Sequence, residues 1–349
     1  MWRIKAYEEG DEHRILLLRQ AVWGDIDPVR TSLLTWRWQF KDNPAGKAFC
    51  LIAEDSGVIV GQYTAMPTRM SVCGKETVFA FSCDTMTHPD YRKQGIFGAL
   101  AESLYDVIEK ENSVQTVWGF PNQSSLPGFT GRLGWRIVDV LSTWIGFTHP
   151  AALFFSLFRS PPPESSRNDK RLSAMEALAG IRVAPLTCFD DNFDRLWETH
   201  NPKDMIIQKR DSRYLKWRYL GIKDFGYRSF AVYEKNVLSG YFVIRIQRLF
   251  GFRMAILMDL FPLPLISPDK TVILLKWIKR YALSNGLPFL IALIPGPHES
   301  FFRKAGLWRA PDRLTPKKWT LGVRNTKNSE PMLQKPKVWH ILFGDTDIV

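Results

Sequence analysis

The sequence predicts a mixed α/β fold in which one strand–turn–helix plan is laid down twice, in tandem. The first observation is local. Residues 78–86 read as a strand and residues 87–95 as a basic turn ending at Gly95. Residues 96–110 then place Ile96, Leu100, Leu104, Val107 and Ile108 on one helical face. The second observation is internal repetition. Leu215-Lys216-Trp217-Arg218-Tyr219 echoes Leu34-Thr35-Trp36-Arg37-Trp38, and Phe230-Ala231-Val232-Tyr233-Glu234 echoes Cys50-Leu51-Ile52-Ala53-Glu54. Gly240, Asp259 and Gly306 echo Gly61, Asp84 and Gly134. These echoes keep one order at offsets falling from 181 to 172 residues, as in a duplication that lost loop residues. The third is size, since 349 residues suit about two domains.

Taken in order, residues 2–7 read as a first strand. Residues 12–22 read as a helix with Ile15, Leu18 and Val22 on one face, and residues 30–40 as a second helix. Residues 48–54 and 58–67 read as strands joined by the turn Asp55-Ser56-Gly57. After the long helix come a strand at 115–120, a short helix at 124–134 and closing strands at 135–147. The expected domains are 1–150 and 181–349. Between them, 151–180 reads as an apolar helix, packed on the domain, followed by a Pro- and Ser-rich linker. Phe and Leu beside basic residues also suit peripheral contact of 151–158 with a membrane surface.

The second copy departs at its turn. Leu260-Phe261-Pro262-Leu263-Pro264-Leu265 has two prolines and neither glycine nor arginine, so it cannot present the same fan of N–H groups. The helix at 269–284 remains, with Ile273, Leu274, Trp277 and Tyr281 on one face.

A net charge of +12 favours anionic partners without choosing among them. The chain has no zinc finger, no RNP motif and no basic stripe with interleaved aromatics, so nucleic acid is not an expected partner. Cys50, Cys73, Cys83 and Cys188 have no metal-like spacing, so no metal is expected and they read as reduced thiols. With no signal peptide and no long apolar run, the expected location is cytoplasmic, with the inner face of the membrane as the variant that 151–158 suggests.

The turn itself carries chemistry. A strand running through Pro89 and Arg92 into Gly95 and a helix aims free N–H groups and the positive helix end at one point. That point suits a phosphate or pyrophosphate. Gly95 lets a ligand approach the backbone, and Arg92 and Lys93 add charge. The full order is strand, Arg-x-x-Gly-x-x-Gly, amphipathic helix, second strand, Asn122 and Leu133-Gly134-Trp135. Over about residues 48–135 this resembles the GNAT superfamily of N-acetyltransferases. Arg92 and Gly95 fit the first and fourth positions of that family's signature; Phe97 stands at the sixth, where a small residue is usual, and Gly98 follows.

The resemblance implies that Arg92, Lys93, Gln94, Gly95, Ile96, Phe97 and Gly98 hold the pyrophosphate of acetyl-CoA or another acyl-CoA. It implies a pantetheine arm in a splay between the central strand and the next, paired with Met86, Thr87 and His88. One strand N–H would polarise the carbonyl. Asn122 and Phe129 would contact the cofactor near the splay, although Asn122 also suits plain turn chemistry. Asp84 is the candidate base or amine anchor, because a carboxylate in a partly dry cleft can take a proton. Its echo Asp259, in a copy without the turn, speaks equally for a structural role. His88 is the other titratable candidate, against an ordinary loop role. Cys83 points away from Asp84 and is expected in the core. Many relatives carry a tyrosine that protonates the leaving thiolate; Thr130 stands at its place here.

The expected function is direct transfer of an acetyl or longer acyl group from CoA to a small primary amine, without a covalent enzyme intermediate. The tail from Trp339 to Asp347 resembles the ends of GNAT-like proteins of bacterial polysaccharide clusters, which implies an amino sugar or its nucleotide derivative as acceptor. One alternative is a Fem-type aminoacyltransferase, against which the turn from Arg92 to Gly98 speaks. The other is a non-catalytic CoA-binding regulator, suggested by Thr130 and the altered second turn. Oligomeric state is not legible.

Overall fold

A computed structural model of the chain describes residues 1–24, 29, 31–111, 113–148, 170–249, 251–294, 296–311, 315, 318–327 and 329–346. The expected membrane contact at 151–158 and the linker as far as residue 169 lie outside them.

The first half opens with β1 (Arg3–Ala6), α1 (Glu12–Trp23) and α2 (Leu33–Phe40). α2 starts later than the pattern suggested because Ser32 caps it, its side chain accepting from Thr35 N–H at 3.1 Å. β2 (Phe49–Asp55), β3 (Val58–Val72) and β4 (Lys75–Thr87) form an antiparallel meander. β3 runs past the expected end at Pro67, because Met70 and Val72 continue its buried face. α3 (Ile96–Lys110) spans the expected residues. Its Leu100, Leu104 and Ile108 are fully buried, each contributing about 1.5–3 kcal/mol. β5 (Val114–Gly119), α4 (Leu126–Gly131) and β6 (Arg136–Phe147) complete this half.

The second half runs α5 (Lys170–Ala179), β7 (Arg182–Leu186), α6 (Asp191–His200), β8 (Ile206–Gln208) and α7 (Ser212–Leu220). Then come β9 (Tyr227–Glu234), β10 (Val237–Leu249), β11 (Phe252–Phe261), α8 (Pro268–Ser284) and β12 (Phe289–Ile294). It closes with α9 (Glu299–Lys304), β13 (Trp308–Arg309), β14 (Trp319–Asn325) and β15 (Trp339–His340). No helix among the described residues is long and apolar enough to cross a membrane.

The offsets resolve into steps. β1 and β7, the residues ahead of α1 and α6 (Asp11, Asp190), the caps of α2 and α7 (Ser32, Asp211) and the bulge glycines Gly61 and Gly240 all stand 179 residues apart. The hairpin glycines Gly74 and Gly251 stand 177 apart, and β5 and β12 start 175 apart. The first arm of the second long hairpin is therefore two residues shorter, 13 residues against 15. This corrects one sequence pairing: Trp38, not Trp36, corresponds to Trp217. Aromatics at alternate positions in both helices let the motif slip by two.

One feature escaped the sequence. The closing strands expected at 135–147 are one strand, β6, and it does not close the first half by itself. Instead Arg136–Leu141 pairs with β14, and Ser142–Phe147 pairs with β12. β14 also lies antiparallel to β5. Each half thus takes a strand from the other, and the sheet runs unbroken from β1 through β5, β14, β6 and β12 to β7.

Candidate active site

The site begins where two parallel strands part. β4 and β5 pair from Val78 with Val114 up to Ser82 with Gly119. Beyond Ser82, β4 continues to Thr87 without β5, so a fork opens between them. A cleft of about 740 Å³ fills the fork, with Ser82, Asp84, Met86 and Thr87 on one wall and Phe120, Asn122, Phe129 and Trp135 on the other.

At the open end, β4 passes through a short 3-10 turn, Pro89–Tyr91, into α3. Gly95 sits ahead of α3 at φ 80°, where only glycine rests without strain, and no side chain caps the helix. The first bond of the ladder runs from Ala99 N–H to Gly95 carbonyl, so the amides ahead of it stay outside the ladder. Arg92, Lys93 and Gln94 are exposed around them. Gly61 on β3 seats this helix start: a Cβ there would lie 2.5 Å from Ile96 Cγ2.

Asp84 is re-aimed by a bulge. Thr64 pairs with Cys83 and Gln62 with Met86, so β4 carries an extra residue, and Asp84 adopts φ 48°. Its carboxylate reaches the guanidinium of Arg19, buried on α1. Arg19 also stands over Trp23 and Phe40 at 5.9 and 5.7 Å. Thr31, Thr35 and Gln39 from α2 and the segment before it finish this polar side of the cleft.

Of the residues expected to act, Asp84, Met86, Thr87, Arg92, Phe97, Asn122 and Phe129 line one cleft. His88 does not; its Nδ1 accepts from Asp90 N–H at 3.3 Å, within the turn. Ile96 is buried against β3, and a side chain at Gly98 would meet Arg132 at 2.8 Å, so both offer the site backbone only. Phe97, at the position where a small residue is usual, packs its ring 5.2 Å from Phe129, over Gly128. Asn122 Oδ1 accepts from Ser125 N–H and Oγ, holding the turn before α4. Thr130 is exposed and donates to Leu126 carbonyl, away from the cleft. Cys83 is 4% exposed in the core, as expected. Sequence reasoning missed Arg19, although its place four residues after Ile15 put it on the apolar face of α1. It also missed Ser82, which carried no signal apart from the strand, and read Trp135 only as part of the Leu133-Gly134-Trp135 motif, not as a wall of the cleft.

The second half is built differently at the same places. Ser267 caps α8 by accepting from Lys270 N–H, and Thr271 Oγ1 accepts from Leu265 N–H, so this turn is internally satisfied. The side chain of Leu265 occupies the space over Gly240, where a Cβ would lie 2.3 Å from its Cδ1. Against β11 lies the chain's own tail, buried from Ile341 to Thr346. A Cβ on Gly344 would come within 2.9 Å of Met258 carbonyl. Asp345 receives Arg210 Nη2 at 2.7 Å, and Arg210 Nε reaches Asp259 at 3.0 Å. Tyr219 and Tyr241 both donate to Asp259 Oδ2. Burial works against the guanidinium charge, and the carboxylates of Asp259 and Asp345 overcome it, raising the Arg210 pKa. Asp259 is therefore a locked structural residue, whereas Asp84 faces a cleft.

Residues 3–138 match a family model described as an acetyltransferase (GNAT) domain. Solved structures share the fold across nearly the whole chain. One is a conserved protein of unknown function from Enterococcus faecalis V583, described as a probable N-acyltransferase: 11% identity, TM-score 0.63, covering 94% of this chain and 73% of that one. Another is a GCN5-related N-acetyltransferase from Anabaena variabilis: 11% identity, TM-score 0.62, covering 93% and 73%. A third is Saccharomyces cerevisiae N-myristoyltransferase with bound myristoyl-CoA: 11% identity, TM-score 0.60, covering 97% and 84%. No protein of curated function matches the sequence.

Proposed function

We propose that residues 3–138, which match the acetyltransferase (GNAT) family model, work as such a domain, and that the chain transfers an acyl group from coenzyme A directly to a primary amine. One observation carries the reading: the fork that opens past Ser82 leads straight to an uncapped, left-handed helix start at Gly95. Unpaired amides with Arg92 and Lys93 suit a pyrophosphate. The free edge of β4 from Asp84 to Thr87 suits the amide groups of a pantetheine arm. A strand N–H there would polarise the thioester carbonyl.

In this reading 1–150 is the working GNAT unit. Residues 181–349 form a second GNAT-like unit, with 151–180 joining them. The second unit has exchanged its acyl-CoA turn for a capped, leucine-filled one. The donor is acetyl-CoA or a longer acyl-CoA. On the acceptor side stand Arg19, Asp84, Thr31, Thr35 and Gln39, a set suited to a small, hydrogen-bonding amine such as an amino sugar. Asp84 anchors that amine and accepts its proton.

Calorimetry with CoA, then thiol release from acetyl-CoA against a panel of amines, tests the reading. Binding with thiol release that needs an amine supports it. Binding with neither transfer nor hydrolysis would favour a CoA-responsive regulator, the reading that Thr130 invites. No binding would remove both.

A further inference from the structure

Behind the apex of the fork runs a chain of hydrogen bonds. Trp135 Nε1 donates to Tyr105 Oη at 2.8 Å. Tyr105 Oη lies 2.7 Å from Tyr63 Oη, which lies 2.9 Å from Ser82 Oγ. Tyr63, Tyr105 and Trp135 are all buried, while Ser82 is half-buried on the cleft wall. The far end is pinned: the Arg324 guanidinium stands 4.3 Å from the Tyr105 ring centroid and pairs with Glu109 at 2.9 Å.

The direction of the chain follows from its donors. An indole N–H can only donate. Tyr105 therefore accepts from Trp135, and its own buried hydrogen needs an acceptor. Among the described residues that acceptor is Tyr63 Oη. Tyr63 then turns its hydrogen to Ser82 Oγ, the next atom along. Ser82, already accepting, keeps its own hydrogen for the cleft. A chain that served only packing would end on a buried acceptor; this one ends on a hydroxyl at the last paired residue before β4 and β5 part.

We propose that Ser82 is a catalytic hydrogen-bond donor to the sulfur of the departing coenzyme A, with Tyr63, Tyr105 and Trp135 as positioning residues that fix its hydroxyl. This rests on the acyl-CoA reading of the cleft. A donor whose phosphates sit at the Gly95 turn runs along β4 from Thr87 toward Ser82, which brings its thioester end to the apex. The amine lone pair forms the C–N bond, the C–S bond breaks with its pair on sulfur, and the proton lost by nitrogen ends on the CoA thiol. Ser82 is not consumed; a serine hydroxyl is too weak an acid to surrender its proton. It stabilises charge gathering on sulfur, where Thr130 stands in the place of the usual phenol and bonds to Leu126 carbonyl instead.

CoA itself is the probe. Thiolate absorbance follows ionisation of CoA bound to wild type, Ser82→Ala, Ser82→Thr and Tyr63→Phe. Ser82→Ala is expected to move the bound thiol's midpoint up by about one pH unit, a tenfold fall in its ionisation constant. Ser82→Thr should restore it, and Tyr63→Phe should fall between. CoA affinity below the midpoint should stay the same. With an accepted amine, kcat should fall about tenfold or more in Ser82→Ala while KM for the acyl-CoA holds. An unchanged midpoint in a folded, CoA-binding Ser82→Ala protein overturns the bond to sulfur and leaves the acyl-CoA reading standing. Failure of wild type to bind CoA overturns that reading and this one together.

Discussion

Trp38 and Trp217 each donate an indole N–H to the other's backbone carbonyl, at 2.7 and 2.8 Å, with their rings stacked 4.8 Å apart. Reciprocal bonding between corresponding residues is the mark of a local two-fold relation between α2 and α7. α2 contributes Thr35 and Gln39 to the cleft, so the pair also fixes one wall of it. Trp38→Phe or Trp217→Phe removes one donor and leaves a carbonyl unpaired, at a cost of about 1–3 kcal/mol each. Because each change loosens the shared stack, the double variant should lose less than the sum by at least about 0.5 kcal/mol. Urea unfolding of the four proteins measures this; strict additivity would mean that the two bonds stand independently.

Gly95→Val separates fold from ligand. A Cβ at Gly95 meets nothing within 4 Å, so only the left-handed backbone is strained, by about 1–2 kcal/mol. The same Cβ would project toward the proposed pyrophosphate. CoA affinity should fall by about tenfold or more in a protein that remains folded. Equal affinity by calorimetry would remove the turn from the site.

CoA should bind once per chain. The capped α8 and the side chain of Leu265 leave the second turn no open amides of the kind found at Gly95. A stoichiometry near two would contradict this.

Asp84→Asn tests the acceptor side. It keeps the shape but leaves the buried Arg19 without its carboxylate, so a loss of about 1–3 kcal/mol in stability is expected. CoA affinity should hold, since the Gly95 turn is untouched. Transfer should slow by about 10²–10⁴-fold, with the residue recovering as pH rises and the amine deprotonates unaided. Normal turnover in a stable variant would remove Asp84 from the mechanism.

His298 and His340 set an acid limit. Burial pushes His298 down to about 4, against a weaker upward pull from Asp204. Burial, then Arg210 and His298, hold His340 well below its usual value. The unfolded chain therefore binds protons that the folded chain refuses, so stability falls as pH drops from about 6.5 toward 4. In His340→Gln, the slope of stability against pH over that window should shrink by up to about one proton. An unchanged slope would show that His340 is already charged in the native state.

The sequence showed most clearly what is local. α3, the glycine ahead of it and the strand before it were legible because period, glycine and charge fall within a short stretch. Arg19 was harder, since a charge on an apolar helix face gains meaning only once Asp84 is known to bulge toward it. The tyrosine chain was invisible: Tyr63, Ser82, Tyr105 and Trp135 lie on four separate elements. The exchange of β6 and β14 was hidden for the same reason, as strand partners across such distances leave no periodic trace.

That exchange has a consequence for how the chain is made. When β6 leaves the ribosome, neither of its partners yet exists, because β12 begins at Phe289 and β14 ends at Asn325. At about 5–20 residues per second, β5 and β6 wait roughly 10–40 s with open edges. Throughout that interval the nascent first half offers bare strands to any neighbour, and an early stop codon would make the exposure permanent.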